Sequence, residues 1–115
     1  MKIENIINTI DGEFITGLKY QNETVKYAFA SDLMSEVLML DNDDFLLITG
    51  LNNLNTIRTA EMTDIRCIVL GNNKKAYPAM VELASDNDIM IIQSPYSVYE
   101  ICGLLFKVGL QPILK

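Results

Sequence analysis

The sequence predicts an α/β domain: a three-layer arrangement, with a largely parallel sheet of about five strands and helices on both faces. Three observations carry that prediction. Apolar runs of strand length recur along the chain, separated by amphipathic segments at helical spacing. The later runs, Phe45–Thr49, Ile65–Leu70 and Ile89–Ile92, are unbroken, the mark of strands buried on both faces. Each strand run also ends in small polar residues just before a helix pattern begins.

Taken in order, Ile3, Ile6, Ile7 and Ile10 recur at i, i+3, i+4 and i+7 and predict a short opening helix that Asp11-Gly12 ends. Glu13–Leu18 reads as a short strand weakened by Gly17, and Gln21-Asn22-Glu23 as a turn. Val25, Tyr27 and Phe29 alternate in a strand over Val25–Ala30, with the small Ala28 and Ala30 on its other face. Ser31 or Asp32 is placed to cap the next helix, with Leu33, Met34, Val37 and Leu38 on its apolar face. Asp41-Asn42-Asp43-Asp44 reads as a solvated connector; it lacks the glycine and closing glutamate of a calcium loop.

After Phe45–Thr49, Gly50-Leu51-Asn52-Asn53 turns into a helix carrying Leu54, Ile57 and Ala60 inward. Ile65–Leu70 and the turn Gly71–Lys75 follow. Pro78 stands in the first turn of the next helix, where its missing N–H costs little, and Met80, Leu83 and Ala84 form that helix's buried stripe. Ile89–Ile92 leads through Ser94-Pro95-Tyr96 to a last helix with Val98, Ile101, Cys102, Leu105 and Val108 on one side and Gly109 at its end. Met34, Met39, Met62, Met80 and Met90 read as core or near-core, with Met39 a candidate for an interface.

A single domain over residues 1–115 is expected. A chain of this length buries roughly 60–70% of its unfolded surface. The net charge of −6 and nine scattered basic residues exclude a phosphate-neutralising patch, so nucleic acid and anionic membranes are not expected partners. The apolar runs are far short of a spanning helix and the N-terminus carries no signal-peptide pattern, so a cytoplasmic location is expected. There is no histidine, and Cys67 and Cys102 stand apart; zinc coordination and the common Ser-His and Cys-His catalytic arrangements lack their residues. In a reducing compartment the two cysteines are expected to stay unpaired. Mean hydropathy of +0.20 is high for a lone monomer and points to apolar surface for a partner or a second copy.

The polar residues that end the strands gather on one edge of a parallel sheet: Ser31, Asp32, Thr49, Gly50, Asn52, Asn53, Gly71, Asn72, Ser94 and Tyr96. Helix N-termini point free N–H groups at the same edge, which suits a phosphate or carboxylate. The alternative is that each residue caps its own helix. Arg58, at the edge of its helix's apolar stripe, is either an anion-binding guanidinium or one side of a structural pair with Glu61 or Asp32. Ser31, Asp32, Thr49, Gly50, Asn52, Arg58 and Ser94 are therefore the candidate ligand-binding residues; no catalytic or metal-binding residue and no cofactor is assigned.

Several blocks together resemble the DRTGG domain family: Ala30–Leu38, Leu47–Leu51, Ile57–Glu61 and Tyr96–Gly103, in order between about Val25 and Leu110. Asp32, Arg58, Thr59 and Gly103 look like the first four signature residues, with Gly109 or an earlier glycine as the last. The resemblance implies a small α/β module related in fold to the N-terminal domain of HPr kinase. Such modules stand beside nucleotide-sensing CBS domains in regulated pyrophosphatases, in phosphotransacetylase-like proteins, or alone, in a regulatory role. The chain departs from a kinase in having no Gly-Lys-Ser/Thr phosphate loop. Together these readings lead to a non-catalytic regulatory or interaction module that forms a homodimer. A regulated enzyme or CBS-type partner is the associate the resemblance implies, and a nucleotide or small-anion sensor is the alternative. Asp32 and Arg58 are expected to lie near each other in space, either paired with each other or with Arg58 pointing past Asp32 into a cavity.

Overall fold

The computed structural model describes residues 1–17, 22–41 and 44–114. Leu18, Gln21, Asn42 and Asp43, which the sequence assigns to a strand end, a turn and a connector, lie outside the described residues. The elements are α1 (Ile3–Thr9), β1 (Glu13–Thr16), β2 (Tyr27–Ala30), α2 (Met34–Leu38), β3 (Phe45–Thr49), α3 (Leu54–Met62), β4 (Cys67–Leu70), α4 (Pro78–Asp86), β5 (Met90–Gln93), α5 (Val98–Lys107) and β6 (Gln111–Pro112).

One sheet runs β1-β5-β4-β3-β2-β6. Every pairing is parallel except β1 with β5. The expected architecture is present, with one strand added. β6 is legible only in three dimensions, because Pro112 argues against a strand in the sequence. It tolerates the proline because Gln111 and Ile113 donate their N–H groups to Lys26 and Ala28, while position 112 faces away from β2. A proline there also blunts the exposed sheet edge.

β3, β4 and β5 are buried at every position and divide their side chains between two cores. Leu47, Ile68 and Ile91 pack on one face with Met34, Val37, Ile57, Ala60, Met80 and Ala84 of α2, α3 and α4. Leu46, Ile48, Val69 and Ile92 pack on the other with Ile3 and Ile6 of α1 and Ile101 and Leu105 of α5. The consecutive order of β2 to β5 keeps the three intervening helices on one face. The chain then reverses across the sheet to reach β6, and α5 covers the opposite face.

Some expected boundaries and faces shift. Leu33 and Leu38 are exposed, because α2 is a short helix whose burial is carried by Met34 and Val37. Met62 and Val108 are exposed too, at the last residue of α3 and just past α5. Met39 is 81% exposed, the strongest such case among the methionines. Pro78 opens α4. Gly109 follows α5 at φ +112°, the left-handed conformation that closes a helix. No described helix is long and apolar enough to cross a membrane.

Candidate functional site

Because α4 and α5 leave on opposite faces, the connections after β4 and β5 diverge. The carboxyl ends of these two strands are where such a sheet opens a ligand crevice. Here the crevice is crossed by the chain's own groups. Asn72, at φ +58°, donates its backbone N–H to the Tyr96 carbonyl at 2.8 Å, and its Oδ1 accepts the Val98 N–H at 2.9 Å. Asparagine tolerates that left-handed conformation, which explains why Gly71-Asn72-Asn73 can make the turn. Gln93, nearly buried at the end of β5, accepts the Ala76 N–H at 3.0 Å. Ser97 caps the Glu100 N–H, so two of the donors at the start of α5 are already engaged.

Asp32 is the brace between β2 and β3. Its Oδ1 accepts the Thr49 hydroxyl at 2.7 Å and the Gly50 N–H at 2.8 Å. Thr49 is fully buried, and its oxygen in turn accepts the Leu51 N–H at 3.1 Å. A side chain at Gly50 would come within 2.6 Å of Asn72 Nδ2, so the β3 and β4 loops approach as closely as a glycine permits. Asn52 extends the lacing by donating to the Lys75 carbonyl at 2.9 Å. Ser94, 1% exposed, donates to the Ile10 carbonyl at 2.6 Å and accepts the Tyr96 N–H, tying β5 to the end of α1.

Two expectations about individual residues are corrected, the cap of α2 and an ion pair for Arg58. Neither Ser31 nor Asp32 caps α2, whose N-cap is Leu33 without a side-chain bond. Ser31 instead accepts the Leu33 N–H in a local turn, and Asp32 reaches across to β3. Asp32 and Arg58 form no pair. Arg58 lies exposed on α3 and makes no ion pair or side-chain hydrogen bond among the described residues, with Glu61 or with Asp32. The structure thus joins Asp32, Thr49 and Gly50 directly and carries the lacing on through Asn52 and Ser94 in neighbouring loops. Arg58 takes no part in it. Gln93 is the rim residue that sequence reading missed, because it lies between the apolar run that ends at Ile92 and the turn signal that begins at Ser94.

The larger concavities lie elsewhere, and none of the candidate residues lines them. One, of ≈870 Å³, sits at the amino ends of the strands and includes Glu23, Asp44, Glu61, Asp64 and Asp88. Glu23 there pairs with Arg66 at 3.2 Å. Cys67 forms part of its wall; burial, with the Glu23 charge adding to it, pushes the thiol far above its ordinary range. The other, of ≈740 Å³, is a mainly apolar groove between α5, β2 and the C-terminal segment. Cys102 lines it, its thiol also raised by burial, and both cysteines are free.

A doubly wound sheet with a self-laced carboxyl edge defines a small α/β module. The chain belongs to the DRTGG domain family, whose model matches residues 5–108. It is similar to an uncharacterised 30.4 kDa protein from the rpoZ-ycf20 intergenic region of Mesostigma viride, 30% identical over 91 residues that cover 77% of this chain and 32% of that one. It shares its fold with a crystal structure of the CBS and DRTGG domains from the regulatory region of a Clostridium perfringens pyrophosphatase, complexed with the activator diadenosine tetraphosphate. That match has a TM-score of 0.77 at 15% identity and covers 97% of this chain and 48% of that one. The chain spans about a third of the curated relative and half of the solved chain.

Proposed function

We propose that this domain is a non-catalytic regulatory module that self-associates and acts through a partner enzyme. The observation that supports the reading is the contrast between a carboxyl edge closed by the chain's own hydrogen bonds and an apolar groove open to solvent beside α5. A sheet edge already bonded to itself is a rigid frame, whereas uncovered apolar surface of this size is a docking face. The regulatory role rests on family membership and on a structural neighbour drawn from an enzyme's regulatory region. The free thiols Cys67 and Cys102 fit a reducing, cytoplasmic setting. Sedimentation velocity over a concentration series tests self-association: a concentration-dependent dimer is expected, and a strict monomer at the highest soluble concentration overturns it.

A second reading, nucleotide or small-anion sensing, is favoured by the activator bound in the structural neighbour. Arg58 is the guanidinium on offer to such an anion. Diadenosine tetraphosphate, AMP, ATP and an acyl phosphate are the probes for a thermal-shift screen. A ligand at 100 times its Kd adds about 2.7 kcal/mol of stability. No shift with any of them rejects sensing; a shift that survives Arg58→Ala rejects Arg58 as the contact.

A further inference from the structure

The exposed side of α5 has an order that an ordinary solvent face lacks. Gly103 stands at its centre, and a side chain built there would meet nothing within 4 Å. On one flank lie Tyr99 and Phe106, 89% and 64% exposed. On the other lie Glu100 and Lys107, both exposed and of opposite charge. At 100° per residue Tyr99 and Phe106 fall about 40–60° to one side of Gly103, and Glu100 and Lys107 about 40–60° to the other. Ile101 and Leu105, on the reverse side, are buried against the sheet. α5 therefore carries apolar side chains on both faces, the pattern of a helix covered on both sides.

We propose that the partner on this face is a second copy of the chain, docked as an antiparallel α5–α5 pair about a two-fold axis through Gly103. This rests on the self-association reading and locates it. The choice of occupant follows from symmetry. A two-fold axis perpendicular to the helix and lying in the interface turns one copy end for end but keeps each flank on its own side. Aromatic flank then meets aromatic flank, with Tyr99 of one copy beside Phe106 of the other. Charged flank meets charged flank, and Glu100 of one copy faces Lys107 of the other, twice by symmetry. A parallel pair would lay the aromatic flank over the charges. The two Gly103 backbones meet at the crossing, where the missing side chain allows close approach. The chain as a whole carries −6, so two copies repel, but Glu100 and Lys107 make this patch locally neutral. An isologous contact of this kind closes as a dimer and leaves no open end.

Charge reversal at exposed positions tests the pairing on the full-length chain, with circular dichroism confirming the fold of every variant. Glu100→Lys alone and Lys107→Glu alone each place like charges together at two symmetric points and should weaken the dimer by about tenfold or more in sedimentation equilibrium. Combining the two restores opposite charges across the axis and should bring the dissociation constant back to near the wild-type value. Both changes oppose the dipole of α5, so a merely structural effect would add in the double variant where the proposal expects rescue. Gly103→Ala should separate the two properties by raising the melting temperature of the fold while weakening the dimer. A wild-type chain that stays monomeric overturns self-association itself. A dimer indifferent to both single reversals overturns the α5 face alone, and single losses without rescue overturn the antiparallel register.

Discussion

The carboxyl edge of the sheet and the outer face of α5 handle polarity in opposite ways. At the edge, polar side chains point at backbone groups of the neighbouring loop: Asp32 to Gly50, Asn52 to Lys75, Asn72 to Val98, Ser94 to Ile10. On α5, aromatic side chains point at water, and Glu100 and Lys107 beside them make no ion pair among the described residues. The difference teaches that residue type alone does not say whether a side chain meets its own chain or the solvent. Asp32, Thr49, Asn52 and Ser94, which read as a binding site, are bonded to their own chain, while a helix that reads as routine amphipathic packing leaves Tyr99 and Phe106 exposed. The energetic reason is that a buried backbone donor or acceptor must be matched, and short polar side chains at loop positions are the nearest means.

The contrast can be broken at its strongest point first. Asp32→Ala removes the acceptor of the Thr49 hydroxyl and the Gly50 N–H, and it should lower stability by about 2–3 kcal/mol in urea titration. Thr49→Val added to it should cost less than it does alone, since the shared bond is already gone. If Asp32→Ala leaves stability unchanged, Asp32 is not a brace. Ser94→Ala leaves the Ile10 carbonyl without its donor in a buried place and should cost about 1–2 kcal/mol by the same measurement.

Alkaline pH probes the opposite, amino-terminal cleft. Burial holds the Cys67 thiol protonated in the folded chain, whereas the unfolded chain releases that proton from about the ordinary value of 9.0. The folded state therefore binds more protons above that pH, and stability falls as pH rises, by up to about 1.4 kcal/mol per unit from this group. Comparing the pH slope of the melting temperature with that of Cys67→Ala isolates the contribution; equal slopes reject it. The smallest effect belongs to Arg58→Ala. An exposed guanidinium without a partner among the described residues should change stability by less than about 0.5 kcal/mol. A larger loss in the same urea titration would mean that Arg58 has a structural partner after all.

How much was legible varies with what each residue's neighbours decide. The helices and buried strands follow from periodicity, because burial of one face or two is written locally. The same holds for Pro78 at the start of α4 and Gly109 after α5, whose backbone restrictions act on their own positions. The second strand edge was not legible, because β6 exists only through bonds to β2. Nor was the outward position of Leu33 and Met62, which depends on where a short helix ends against the sheet.

By itself the sequence determined the α/β class, the order of the elements as far as α5, the sheet that is buried on both sides and the gathering of polar residues at its carboxyl edge. These are consequences of local pattern and chain chirality. Only the tertiary structure decided what those polar residues do. Asp32 bonds to Thr49 rather than Arg58, and Asn72 crosses to α5, because strands distant in sequence bring their loops within hydrogen-bond reach. It also decided that Tyr99 and Phe106 face outward together. A helix presents two sides, and which of them the sheet covers is set by packing, not by the residues of the helix alone.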